Sequence, residues 1–109
     1  MGMTIPEITV ERLAELLAAG GAALFDVRQP YEFDEAHVAG ATLIPLGEVP
    51  DRVADFPSDR EVLVICKSGG RSGQAVEFLR ERGINAVNIE GGTMAWISAG
   101  HPVETGGVL

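Results

Sequence analysis

The sequence predicts an α/β domain, with a mainly parallel central sheet of about five strands and helices on both faces. Three observations lead there. Short apolar runs rich in β-branched residues alternate with stretches of helical periodicity. The run at 62–65, VLVI, is unbroken, as in a strand buried on both faces. Glycine or proline punctuates most junctions between these stretches.

The elements follow in chain order. Residues 1–7 read as a loosely held arm. Thr9 is placed to cap a helix whose apolar positions are Val10, Leu13, Leu16 and Leu17, ending at Gly20 and Gly21. Residues 22–27, AALFDV, read as a buried strand. A short helix over 30–36 follows, with Pro30 near its N-terminus and Tyr31 and Phe33 as packing residues. Residues 42–45, TLIP, form a short strand, and a helix is expected over 48–56 until Pro57, Ser58 and Asp59 break it. The central strand is 62–66. The helix after it, 72–82, has Ala75, Val76, Phe78 and Leu79 as its apolar stripe. Gly83 leads to a strand at 86–89, and Gly91 and Gly92 lead to a last short helix at 93–98. The 109 residues make one domain, its core at about 8–103 between a flexible arm (1–7) and a flexible tail (104–109).

Composition narrows the function. Sixteen acidic against eight basic residues give a net charge of −8, which argues against nucleic-acid or anionic-membrane partners. Hydrophobic residues are 46% of the chain, but no stretch approaches a transmembrane length. The opening residues do not read as a signal peptide, and Pro6 stands where a myristoylation motif wants Ser or Thr. A single cysteine allows no internal disulfide and suits a reducing compartment, so a cytoplasmic location is expected. The acidic scatter of Glu48, Asp51, Asp55, Asp59 and Glu61 reads as solvated surface, and no cluster of metal ligands stands out.

The chemistry gathers at that cysteine, Cys66. It ends the central strand and is followed by Lys67, Ser68, Gly69, Gly70, Arg71 and Ser72, then by a helix. The two glycines permit loop conformations that turn successive amides inward, and the first amides of a helix have no intrahelical partner. A thiol in such a nest ionises more readily than a free one. Lys67 and Arg71 add positive charge. The plainer reading makes Cys66 a small buried hydrophobe at a strand end. Ligands of parallel sheets sit at the carboxyl ends of strands, and Asp26 and Arg28, at the end of another strand, border the same crevice in this reading.

At this point the chain resembles a single-domain rhodanese, a sulfurtransferase of the rhodanese-like superfamily. Three separated pieces carry the resemblance. Asp26, Val27 and Arg28, then Glu32 and Phe33, His37 and Val38, Gly40 and Ala41, and Ile44 and Pro45, are similar to the family's N-terminal signature. The residues from Cys66 to Ser72 (CKSGGRS) are similar to its active-site loop, and Glu90, Gly91, Gly92, Ala95 and Trp96 to its C-terminal signature. The resemblance implies a rhodanese-like fold and a persulfide mechanism, in which the cysteine takes the outer sulfur of a small anionic donor such as thiosulfate and yields it to a thiol or cyanide. It makes Cys66 the nucleophile. The amides of Lys67, Ser68, Gly69, Gly70, Arg71 and Ser72 hold the anionic sulfur, and Lys67 and Arg71 favour an anionic donor. No metal or organic cofactor is implied. Asp26, Arg28 and Glu32 are either a network propping the loop or plain solvated charges, with Arg28 adding positive potential at the mouth. His37 either orders the loop leading to Gly40 or acts as a general base. Trp96 either packs under the last helix or lines the pocket.

One position departs from the family pattern: Ala36 stands where a glycine commonly precedes the histidine, and a positive φ there would strain it. Cysteine-dependent phosphatases of related fold place five residues between cysteine and arginine, whereas four separate Cys66 from Arg71 and Ile65 stands where those enzymes usually have histidine. The alternatives to a small-donor enzyme are a relay fed with persulfide by a protein donor or emptied by a protein acceptor, and a non-catalytic interaction module.

Overall fold

A computed structural model describes residues 4–108. Five strands form one sheet in the order β1–β5–β4–β2–β3, and every pairing is parallel. The strands are β1 (Glu7–Ile8), β2 (Ala23–Asp26), β3 (Thr42–Leu43), β4 (Val62–Ile65) and β5 (Ala86–Ile89). Between them run α1 (Val10–Ala19), α2 (Pro30–Glu35), a 3-10 helix (Leu46–Asp55), α3 (Gly70–Glu81) and α4 (Gly92–Ser98). The expected α/β sheet is therefore present, and wholly parallel.

Strand β4 sits at the centre and divides the core. Val62 and Val64 point to one face, where Val27, Val49, Phe56, Val76 and Leu79 pack under α3 and the 3-10 helix. Leu63 and Ile65 point to the other, against Leu13, Leu24, Ile89 and Trp96 beneath α1 and α4. This two-residue alternation, buried on both sides, explains why the sequence there is an unbroken apolar run. Each such fully buried aliphatic side chain contributes about 1.5–3 kcal/mol.

Strand order also positions the site. From β2 the chain moves outward to β3, and from β4 it moves the opposite way to β5. The segments leaving β2 and β4 diverge and open a crevice beyond their carboxyl ends. Cys66 and the pair Asp26 and Arg28 lie there.

Several elements differ from expectation. Glu7, assigned to a loose arm, pairs in β1 with Asn88 of β5, and Asn88 and Glu90 donate their amides to Pro6 and Ile8. A two-residue strand has no periodicity of its own; its partner makes it. Residues 1–3 of that arm and Leu109 lie outside the described residues. Nor is the start of the tail free: Glu104 exchanges both backbone hydrogen bonds with His37 at 2.8 Å, and the Gly106 amide donates to Asp34. The expected helix over 48–56 is a 3-10 helix that starts at Leu46, holds Pro50 and is kinked at Arg52. Of the two aromatic residues on α2, Phe33 is buried but Tyr31 is 67% exposed, correcting its assignment to packing. Ala36 has φ −168°, extended backbone that any residue adopts, so the missing glycine costs nothing. Among the described residues no helix is long and apolar enough to cross a membrane.

Candidate active site

Strand β4 delivers Cys66 to the crevice, and α3 begins four residues later. The turn between them requires Gly69, which has φ +109° at the N-cap of α3, a conformation open mainly to glycine. It aims the Gly69 amide at the Cys66 sulfur, 3.1 Å away. The Ser72 hydroxyl reaches the same sulfur at 3.2 Å. Cys66 itself is 1% exposed. That burial pushes the thiol up, but the Ser72 hydroxyl and the amides of Ser72, Gly69 and Ser68 outweigh it and hold the thiol below its ordinary value. The result is a buried thiol whose ionisation is favoured by donors rather than by a neighbouring base.

The outside of the loop is pinned by α4. Thr93 donates its amide and its hydroxyl to the Cys66 carbonyl, at 2.8 and 2.9 Å, and the Met94 amide donates to the Lys67 carbonyl. Contact this close needs Gly92. Its φ is +59°, and a Cβ there would lie 2.6 Å from the carbonyl oxygens of both Cys66 and Lys67.

The three charged residues read as either one network or solvated charges belong to two separate ion pairs. Arg28 binds Asp26 through Nε and Nη2 and donates to the Ala36 carbonyl at 2.8 Å; both side chains of the pair are buried. Its charge is thus compensated by Asp26, while the side chain still lines the cleft beside the loop. Glu32 instead grips Arg71, accepting from Nη1 at 2.7 Å and from Nη2 at 2.9 Å. The Arg71 hydrogen bonds lower Glu32 to a pKa of about 2 and raise Arg71 in turn. Arg71, expected to face the donor, is therefore bound on its own protein, while Lys67 is exposed. A cleft beside the loop is lined by Lys67, Glu32 and Thr93 together with Tyr31, Met94 and Ile97.

Two singled-out residues make their polar contacts elsewhere than at the sulfur. His37 is buried, stacks on Phe33 at 3.7 Å and donates from Nδ1 to the Phe33 carbonyl, which anchors the chain after α2. Trp96 is 4% exposed, packs beneath α4 and donates to the Pro102 carbonyl; it does not line the cleft. Sequence reading overlooked Thr93 and Asn88. The signal for Asn88 was present: a polar residue in the otherwise apolar strand AVNI, buried in the structure.

Comparison with known proteins decides the family. The model of the family described as Rhodanese-like domain matches residues 9–99. A sulfurtransferase of Allochromatium vinosum is 36% identical over 101 residues, covering 91% of this chain and 94% of the relative. The chain belongs to the rhodanese family. The crystal structure of a rhodanese-related protein from Thermoplasma volcanium superposes with a TM-score of 0.85 at 36% identity, covering 91% of this chain and 97% of that one. A thiosulfate sulfurtransferase from Pseudomonas aeruginosa matches with a TM-score of 0.84 at 28% identity, over 94% of this chain and 20% of that longer one. In this rhodanese the three signature segments meet at one loop. The second forms it, Glu32 of the first grips its Arg71, and Gly92 of the third lets α4 close against its base.

Proposed function

We propose that the protein is a sulfurtransferase that carries sulfane sulfur on Cys66, loaded from thiosulfate and unloaded to a thiol or cyanide. The observation that carries this reading is the pair of donors, Gly69 N–H and Ser72 Oγ, converging on a buried sulfur at the carboxyl end of β4. The Cys66 thiolate attacks the outer sulfur of thiosulfate. A bond from Sγ to that sulfur forms as its bond to the sulfite sulfur breaks, and sulfite departs with the electron pair. The negative charge then rests on the outer sulfur of the persulfide, and the amides of residues 67–72 receive it in this reading; those of Ser68, Gly69 and Ser72, which already act on Cys66 Sγ, support it. The acceptor thiolate or cyanide attacks this outer sulfur and restores the Cys66 thiolate. Lys67, exposed at the mouth, supplies attraction for the dianionic donor, and the name of the Pseudomonas relative supports thiosulfate in that role. A cytoplasmic location fits a nucleophile that must stay reduced.

A specific observation favours a second reading, in which a protein supplies or removes the sulfur. Tyr31, Met94 and Ile97 are among the exposed large hydrophobic residues, and all three line the cleft beside the loop. A thiol on a partner protein must come within bonding distance of a buried sulfur, and an apolar rim suits such an approach.

Intact mass before and after incubation with thiosulfate, without reductant, tests the first reading. A gain of one sulfur atom, removed by cyanide and absent in Cys66→Ser, is the expected result. No gain overturns thiosulfate as the donor and favours the partner-fed relay.

A further inference from the structure

Ser72 has one hydroxyl proton and two acceptors for it. Its Oγ lies 3.2 Å from Cys66 Sγ and 2.5 Å from Asn88 Oδ1. Ser72 is wholly buried and Asn88 is 1% exposed, so solvent does not readily take the place of either contact. Nor can the Asn88 amide turn over. Its Nδ2 donates to Glu7 Oε2 at 2.8 Å and to the Gly69 carbonyl at 3.3 Å, and a flipped amide would set its oxygen against two oxygens. Asn88 Oδ1 is thereby fixed as an acceptor facing Ser72.

We propose that Asn88, held by Glu7 and the Gly69 carbonyl, is a positioning residue for sulfur transfer that competes with the Cys66 sulfur for the single proton of Ser72. The inference rests on Cys66 being the nucleophile. When Cys66 is a thiol, its S–H donates to Ser72 Oγ and the Ser72 hydroxyl donates to Asn88. When the thiol gives its proton to water, the Ser72 hydroxyl turns to the thiolate and Asn88 Oδ1 loses its donor. Stabilisation gained at the sulfur is partly lost at Asn88. After Sγ bonds to the donor's outer sulfur and the leaving group departs with the electron pair, the charge sits one atom further out. Sγ then needs the hydroxyl less, and Ser72 returns to Asn88. Rotation about one C–O bond therefore follows the reaction cycle.

Of the other charged groups packed around the loop, two arginines are neutralised in pairs, and the rest stay unchanged in every variant compared below. Arg71 of α3 is bound to Glu32 of α2, and Arg28 to Asp26 of β2. Lys67 lies on the loop itself, and Glu7 of β1 acts through Asn88. This is what lets the contribution of Asn88 be read separately.

The test is the pH dependence of Cys66 alkylation by iodoacetamide in the wild type, Asn88→Ala, Ser72→Ala and the double variant, with far-UV circular dichroism confirming the fold. In Asn88→Ala the midpoint falls by about half a unit, so alkylation one unit below the wild-type midpoint rises about threefold. In Ser72→Ala the midpoint rises, and adding Asn88→Ala to it produces no further shift. An unchanged midpoint in Asn88→Ala, or an equal shift with and without Ser72, overturns the proposal. Asn88→Leu keeps the volume of the side chain without an acceptor should the alanine variant fail to fold. With no oxygen competing for the Ser72 proton its midpoint must fall; a rise or no change overturns the proposal equally. Thiosulfate loading of the wild type is measured in parallel. Expected midpoint shifts in a protein that takes up no sulfur would refute the donor reading and leave the hold of Asn88 on the thiol standing. Unchanged midpoints in a protein that loads sulfur would refute the role of Asn88 alone.

Discussion

Arg71 and Glu32, 39 residues apart in the chain, meet face to face through two hydrogen bonds of 2.7 and 2.9 Å. This pair joins the first turn of α3 to α2, and so fixes the loop that carries Cys66 against the β2 side of the crevice. A guanidinium held in this two-point way is a structural brace before it is a site for an anion. Lys67 is left as the cation of the active-site loop that faces solvent.

Glu32→Gln should therefore loosen the loop and lower sulfur transfer, with a stability loss of roughly 1 kcal/mol, since the pair is partly screened by solvent. The pH dependence has a definite sign. Glu32 is held at about 2 in the folded protein against an ordinary value of 4.5. Its contribution is complete above the higher value, fades as the pH falls and is gone below the lower one. Acid unfolding of wild type and variant should converge across that window; parallel curves would contradict the assignment.

Cys66→Ser should abolish transfer, by about a thousandfold or more, because the hydroxyl is not ionised near neutral pH. The side chains are nearly isosteric, and Gly69 and Ser72 can serve an oxygen as they serve the sulfur, so the melting temperature should barely move. A thiocyanate assay and a thermal melt read the two halves of this expectation.

Lys67→Ala should raise KM for thiosulfate about three- to tenfold and change kcat by less than about twofold, as loss of uniform electrostatic attraction requires. The effect should shrink at high salt. Equal losses in kcat and kcat/KM would place Lys67 in the transition state instead.

Gly92→Ala should be the most damaging small substitution near the site. It adds a Cβ 2.6 Å from the Cys66 and Lys67 carbonyls at a φ of +59°. The strain, on the order of 1–3 kcal/mol, must be relieved by moving the loop or α4. Both stability in urea and the alkylation rate of Cys66 should change, whereas Gly107→Ala, positive in φ but in open space, should leave the alkylation rate alone.

What the sequence made legible, and what it did not, follows from the range of the interactions. The β4 strand, the Cys66 loop and α3 are contiguous, and local rules of burial, glycine conformation and helix onset suffice to read them. The same holds for Thr9, which accepts from the Arg12 amide as a cap should. Three of the failures are matters of partnership. Glu7 becomes a strand only beside Asn88, Arg71 is neutralised only because α2 brings Glu32 to it, and Glu104 is tied down only by His37. Tyr31 was misread because a six-residue helix with Phe33 as its buried residue has no second apolar position to give away which side faces out. Thr93 lies within the third signature segment but looks like an ordinary helix residue; its role exists only through the carbonyl of Cys66.

The two strands at the margins of the sheet, β1 and β3, are two residues long each. An intruding chain would find almost no backbone ladder to extend on either side, so templated fibre growth and recruitment of peptides as an added strand are both disfavoured from the outset. A protein partner must therefore dock on something other than a sheet margin, and the sheet can stay sealed while the crevice above it stays open to exchange.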